Sequence, residues 1–179
     1  MSPKRNGFSL IEVMVSLVIL VIGLIGIFNL HIISKQGSFE SFQQTQASYY
    51  ANDIINRMKL NPSQLTSYGT SSGVGSKYSG IPSIPSPACK GTAICSPAQM
   101  AAWDLYEWRA SFIGEAEIVN TQNVGGLDVP TACILVIGNN VTVVMSWKGI
   151  RSTSDSEQYD GCGDTSDRRR VYSIQTVII

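Results

Sequence analysis

The sequence predicts an α+β protein in which one long N-terminal helix packs against a small antiparallel sheet. Three observations lead to this fold class. Residues 13–34 carry no charged side chain, no proline stands between Phe8 and Asn61, and short alternating apolar segments follow only after residue 115. The first two features favour a continuous helix with a membrane half and an amphipathic half, and the third is typical of strands.

The membrane half is long enough to cross a bilayer. The 22 residues from Val13 to Ser34 span roughly 33 Å as a helix, at about 1.5 Å per residue. Lys4 and Arg5 precede them, and such a basic flank normally stays in the cytoplasm. We therefore expect a single-pass inner-membrane protein whose residues beyond about His31 lie on the far side. No small-x-small cleavage site follows the apolar run, so we expect the run to be retained.

The amphipathic half, residues 34–61, continues the same helix to Pro62. Apolar side chains recur near helical spacing along it, and we interpret them as core that packs against a soluble head. These residues are Phe39, Phe42, Tyr49, Tyr50, Ile54 and Met58.

The head begins with residues 63–95, which are rich in Ser, Gly and Pro and predict a long surface loop. Ser96, Pro97 and Gln99 then form a helix-start signal, and the helix ends at Gly114. Its apolar face comprises Ala101, Leu105, Trp108 and Phe112.

Strands are predicted at 116–120, at 131–137, after a turn at 138–140, and at 170–179. One face of the third strand carries Val141, Val143, Met145 and Trp147, and one side of the last carries Tyr172, Ile174 and Ile178. We interpret the last strand as packed inside the head, with pairing of its free edge to a neighbouring chain as the alternative.

Four cysteines fall on the predicted non-cytoplasmic side, where disulfides persist. Three pairings are possible. We expect Cys89–Cys95 as a short clip before the second helix, and Cys133–Cys162 as a tie between a loop and the sheet. No C-x-x-C spacing supports a structural zinc site instead.

The distribution of charge does not favour nucleic-acid binding. Arg168, Arg169 and Arg170 form one basic cluster. We interpret it as a solvated strand entry beside Asp164 and Asp167 rather than a DNA contact, so no direct nucleic-acid partner is expected.

The sequence also lacks the patterns of a metal or catalytic site. A calcium site from Asp155, Glu157, Asp160, Asp164 and Asp167 matches no EF-hand order, so no metal or other cofactor is expected. The single histidine, His31, lies beside the membrane, and no catalytic constellation surrounds it. We expect no enzyme.

One carboxylate stands at the start of the apolar run, where an ionisable group is costly and calls for a partner. Gly7-Phe8-Ser9-Leu10-Ile11-Glu12-Val13-Met14 resembles the prepilin signature of type IV pilins and type II secretion pseudopilins. The resemblance implies cleavage after Gly7 by a prepilin peptidase, N-methylation of Phe8 by the same class of enzyme, and an assembly role for Glu12. Complementing the positive end of the helix is the alternative role for this side chain.

The resemblance implies a pilin-like division into a leader (1–7), a membrane and assembly half (8–33), an amphipathic half (34–61) and a periplasmic head (62–179). Loss of the leader removes two of 13 basic side chains and none of 13 acidic ones, which leaves 11 − 13 = −2.

The cysteine pair before an Ala/Asp/Leu/Trp helix resembles the PilV class of minor pilins, as does the Cys133-to-Trp147 stretch that ends in Met-Ser-Trp. This resemblance implies a minor subunit that helps start pilus assembly, in a tip complex with other minor pilins and the major pilin, and that supports motility, adhesion or DNA uptake indirectly. A minor pseudopilin of a type II secretion system is the alternative, and membrane lipid is a partner of the helix in both.

Overall fold

The computed structural model describes residues 7, 9–155 and 158–179. Its elements confirm the predicted α+β class: a long N-terminal helix whose C-terminal part packs on a small antiparallel sheet. The chain divides into two compact units, one that ends at Phe39 and one from Glu40 to Ile179.

Helix α1 spans Leu10–Leu60 and runs through the boundary between the two units. Its first turn begins with backbone hydrogen bonds to Ser9 O from the N–H groups of Glu12 and Val13, at 3.0 and 3.3 Å. No proline interrupts the helix, and Pro62 follows its end. In the first unit the apolar side chains of α1 are exposed, and this part is long and apolar enough to cross a membrane by length and composition.

The second unit buries one face of α1 against the sheet and against helix α3, which spans Pro97–Ile113. The buried apolar residues of α1 are Ala47, Tyr50, Ala51, Ile54, Ile55 and Met58. The aromatic residues predicted from the sequence divide between core and surface. Tyr50 is buried, whereas Phe39, Phe42 and Tyr49 are exposed, so the prediction that these three belong to the core is wrong.

Helix α3 confirms its sequence signals. The Ser96 side chain accepts from Gln99 N, the Gln99 side chain accepts from Ser96 N, and Pro97 occupies the first helical position. Gly114 ends the helix at φ 81°, a left-handed conformation that glycine adopts at little cost. Trp108 is the central contact of α3, because its indole Nε1 donates to Tyr50 O of α1 at 2.8 Å.

The main sheet has four antiparallel strands in the order β1-β4-β5-β6. They span Ser76–Tyr78 (β1), Thr131–Ile137 (β4), Asn140–Lys148 (β5) and Arg169–Val177 (β6). The predicted strand at 131–137 and the turn after it are confirmed. The odd-numbered β5 residues from Val141 to Trp147 face the helices, because they belong to the same buried cluster as the α1 and α3 side chains.

The segment 63–95 is more ordered than predicted. It holds a short 3₁₀ turn at Pro62–Gln64, helix α2 at Leu65–Tyr68 and the edge strand β1. Tyr68 is fully buried, and the Tyr78 hydroxyl donates to Tyr68 O at 2.6 Å. Elements of three or four residues are too short to show a periodic sequence pattern. Single side chains such as Tyr68 and Tyr78 anchor them instead.

The predicted strand at 116–120 is reduced to Ile118–Val119 (β2), which pairs with Gln122–Asn123 (β3) in a separate two-stranded hairpin. Asn120 and Thr121 form its turn at φ 48° and 68°. Two successive positive φ values are typical of the tight turns that match strand twist.

The second face of the main sheet is covered by the chain after β5. Cys133 and Val144 lie on this face, and the disulfide from Cys133 to Cys162 holds the covering segment against them. Arg169 is buried here, with its guanidinium donating to the carbonyl groups of Cys162 and Tyr159 and pairing with Asp155 at 3.3 Å. The prediction of a solvated basic cluster is therefore wrong for Arg169.

Its two neighbours differ in environment. Arg168 is exposed. Arg170 is half-buried and pairs with Glu40 of α1 at 3.2 Å, while its guanidinium also donates to Arg151 O at 2.7 Å. The side-chain environment, rather than the run of three arginines, therefore decides the role of each.

Candidate functional site

The first candidate site is the start of α1. Glu12 lies in the first helical turn, where its negative charge complements the positive end of the helix. The side chain is exposed among apolar neighbours, and a shallow groove beside it is lined by Val13, Ser16, Leu17 and Leu20. Ser16 Oγ donates to the backbone carbonyl of Glu12 at 2.7 Å rather than to its carboxylate.

The carboxylate of Glu12 has no hydrogen bond or ion pair to another described residue. Gly7 is exposed, and apart from its two chain neighbours no described residue has an atom within 4 Å of the position that a Cβ would take there. Phe8, the predicted methylation site, lies outside the described residues. An exposed carboxylate on an apolar helix can accept a cation from another molecule, and this is the chemistry that the arrangement offers.

The second site is the polar network that holds α1 in the head. Arg57 of α1 pairs with Asp53 at 3.1 Å, with Asp104 at 3.1 Å and with Glu107 at 3.0 Å. The last two residues belong to α3, so one guanidinium joins the two helices. Burial lowers the pKa of Arg57, but the hydrogen bonds and charges of its carboxylate partners outweigh this and raise its pKa overall.

Asp104 extends the network to α2. Its second carboxylate oxygen accepts from the Tyr68 hydroxyl at 2.6 Å, and Asn61 Nδ2 donates to the same hydroxyl at 3.4 Å and to Pro97 O at 2.8 Å. Burial, followed by the hydrogen bond to Asp104, raises the pKa of Tyr68. A neutral tyrosine therefore donates to a carboxylate that also binds a guanidinium.

The sequence prediction did not include this network. One signal was available, because Asp53 and Arg57 stand four residues apart, a spacing that places oppositely charged side chains on one helix face. The partners Asp104 and Tyr68 lie far away in sequence, and nothing local links them to Arg57.

The four predicted cysteines form two disulfides, Cys89–Cys95 and Cys133–Cys162, with Cα–Cα distances of 6.0 Å in both. Cys89 and Cys95 are half-buried and lie just before α3, whereas Cys133 and Cys162 are both fully buried. Within the described residues no group of three or more His, Cys, Asp or Glu side chains could hold a metal ion. Glu157, one of the residues weighed for calcium, lies outside the described residues.

Comparisons with known proteins bear on both parts of the chain. Residues 2–28 match the model of the prokaryotic N-terminal methylation motif. Residues 30–106 match the model of type IV pilin Tt1218. By these matches the chain is similar to type IV pilins over residues 30–106 and carries the methylation motif at its start. No curated protein and no solved structure matches it.

For a pilin-like protein the methylation motif implies processing by a prepilin peptidase and assembly with other pilins. The matched pilin model ends at residue 106, inside α3. It therefore includes the α1 side of the Arg57 network and Asp104, but not the three long strands of the sheet.

Proposed function

We propose that this chain is a minor pilin that helps to initiate type IV pilus assembly, in a tip complex with other minor pilins and the major pilin. The observation that carries the proposal is an acidic side chain, Glu12, in the first turn of an exposed apolar helix that continues into a disulfide-bonded head. Motility, adhesion or DNA uptake would depend on such a subunit indirectly.

In the proposed mechanism, prepilin peptidase cuts between Gly7 and Phe8, and Phe8 is then N-methylated. Cleavage creates an amino group on Phe8, four residues before Glu12. The amine of a neighbouring subunit pairs with the Glu12 carboxylate in the apolar interior of the growing filament, where Coulomb attraction is weakly screened. The charge pair sets the axial register between subunits, and apolar packing of the helices supplies the contact area.

The proposed location follows from the same features. The chain crosses the inner membrane once with residues 1–7 on the cytoplasmic side, and its head folds in the periplasm before it enters a filament at the cell surface. Two disulfides in the head support an oxidising compartment.

A minor pseudopilin of a type II secretion system is the second candidate function. The methylation motif supports it equally, because both kinds of subunit carry this motif. The pair of disulfides in the head favours the pilus, since minor pseudopilins are often poor in cysteine. Deletion of the gene, followed by separate assays of pili and of protein secretion, distinguishes the two functions.

The direct test combines processing with incorporation. Mass spectrometry of the mature chain should show an N-methylated Phe8 at its start. Glu12→Ala should still be cleaved but should reach sheared filaments at a much lower level than the parent, because the amine then has no counter-charge. Ser9→Ala alters a neighbouring polar residue without removing charge and serves as the control.

Two results would contradict the proposal. One is a working protein that retains Met1. The other is a Glu12→Ala variant that enters filaments as efficiently as the parent at equal abundance.

A further inference from the structure

The last strand of the main sheet has an open edge. β6 is a terminal strand of the order β1-β4-β5-β6 and pairs with β5 along its whole length. Nine residues form it, whereas β1 at the opposite edge has three. A free strand edge presents unpaired backbone donors and acceptors to other chains.

Hydrogen bonds at both ends of β6 determine which groups face outward. Ile178 N donates to Asn139 O at 2.9 Å, and Arg168 O accepts from Gly149 N at 2.8 Å. Hydrogen-bonded pairs alternate along an antiparallel ladder, so the even-numbered residues between these two bond to β5. The backbone groups that point away from the sheet belong to Val171, Ser173, Gln175 and Val177.

The outward groups of Val171, Ser173 and Gln175 have no partner in any other segment that the structure describes. Residues 171–179 also contain no charge, glycine or proline. Charged residues, prolines and bulges are the usual means by which an edge strand avoids pairing. This edge therefore lacks the protection expected of a strand that must stay single.

We propose that the β6 edge pairs antiparallel with the β1 edge of a second copy of this chain, so that the main sheet continues from one subunit to the next. The inference rests on the proposed function, because it requires copies of the chain that are anchored in one membrane with their heads in the same orientation. Strand directions alternate along an antiparallel sheet of four, so β1 and β6 run in opposite directions. Two heads in the same orientation thus present antiparallel edges to each other.

The symmetric alternatives are disfavoured by charge and by direction. In a two-fold β1–β1 pair the central residues, Lys77 and its copy, would lie opposite each other, and like charges across a strand pair are destabilising. In a two-fold β6–β6 pair the axis would reverse α1, which lies on one face of the sheet, so the two chains could not share a membrane orientation. The β6–β1 contact places Lys77 beside residues 171–177, the part of β6 that carries no charged side chain.

A head-to-tail contact of this kind does not close on two subunits, and it generates rings or helical filaments. Because β1 has three residues, the contact is short and weak on its own. Membrane anchoring raises the effective concentration of the two edges and makes such a contact usable.

Crosslinking in the native cells tests the proposal with the full chain. All four cysteines are in disulfides, so introduced cysteines are the free thiols. The variant with Lys77→Cys and Gln175→Cys should give a ladder of multimers with a short bismaleimide. When β1 pairs opposite Ser173, the side chains of Lys77 and Gln175 lie on the same sheet face as diagonal neighbours, within reach of the crosslinker. Both positions are exposed, and Lys77→Cys with Lys59→Cys, also exposed, is the matched control.

A backbone variant tests the hydrogen bonds themselves. In the double-cysteine chain, Ser173→Pro removes an outward N–H that makes no bond to β5, whereas Ser173→Thr keeps it. We expect the proline to lower the crosslinked fraction about fivefold for one lost hydrogen bond, and the threonine to leave it unchanged. Unchanged tryptophan fluorescence shows that the proline variant is folded. Gln175→Pro in the chain without introduced cysteines is an independent variant, and its incorporation into filaments is the measurement.

The outcomes separate the two proposals. Dimers from Gln175→Cys alone would overturn the β6–β1 geometry in favour of a two-fold pair. Absence of multimers in a chain that is processed and enters filaments would overturn this inference and leave the proposed function intact. A chain that keeps its leader would overturn the proposed function, whatever the crosslinking shows.

Discussion

Removing one hydroxyl, in Tyr68→Phe, tests the network that holds α1 in the head. Tyr68 is fully buried, and its hydroxyl donates to Asp104 at 2.6 Å. A hydrogen bond to a charged group contributes about 1.5–3 kcal/mol, and its loss here leaves a buried carboxylate oxygen without its donor. We therefore expect a loss of about 2 kcal/mol in the free energy of unfolding, or roughly 6 °C in Tm for a domain of this size.

Tryptophan fluorescence of the full chain in detergent is the assay. The three tryptophans, Trp103, Trp108 and Trp147, are all buried in the second unit, so their emission follows unfolding of the head and not of the apolar helix. Tyr49→Phe is the matched control, because that side chain is 67% exposed and should change Tm little. Equal Tm values for the two variants would refute the assignment of Tyr68 as a stabilising donor.

The pH dependence gives a second measure of the same group. The pKa of Tyr68 is raised above the ordinary value of 10.0 by burial and by the hydrogen bond to Asp104. A group whose pKa is raised by folding stabilises the fold fully below its unfolded pKa, and this contribution is lost as pH rises toward the folded pKa. The Tm difference between the parent and Tyr68→Phe should therefore be constant up to about pH 9 and shrink above pH 10.

Two further predictions concern the head. Gly114→Ala should lower the free energy of unfolding of the head by more than about 2 kcal/mol, because a Cβ there collides with Gly126 N. The control Gly138→Ala has a similar positive φ but open space around the Cβ position, so it should lower that free energy by only about 1 kcal/mol. Equal losses of stability in thermal unfolding would contradict the steric argument. Mild reductant should open the half-buried Cys89–Cys95 first and spare the fully buried second disulfide, and mass spectrometry after thiol alkylation would show the reverse order if access were not decisive.

Local signals predicted the long elements well. The break-free run before Pro62, the capping box at Ser96 and the apolar β4 strand each repeat one physical requirement over many residues. Periodicity is reliable in such cases because every turn or residue pair adds to the same pattern. The methylation motif was likewise readable, since its residues are contiguous and stand in a fixed register.

The short elements and the polar anchors could not be predicted for the opposite reason. Strand β1 exists because three residues pair with β4, and helix α2 because Tyr68 reaches Asp104 across 36 positions in sequence. The three consecutive arginines looked equivalent as a charge run. The carbonyl groups that bury Arg169 come from the disulfide-held segment before it, which no local pattern places there.

Phe42 and Tyr49 show why a helical stripe alone does not define a core. They lie seven residues apart on α1, and both are exposed, while Tyr50 beside them is buried. The sheet and α3 cover one side of α1 and leave this side open. Under the proposed function the helix has two sets of neighbours, its own head and other subunits, and both select apolar side chains. The sequence pattern does not separate the two sets, whereas the fold does: the side of α1 that carries Phe42 and Tyr49 is not covered by the head and is the surface available to other subunits.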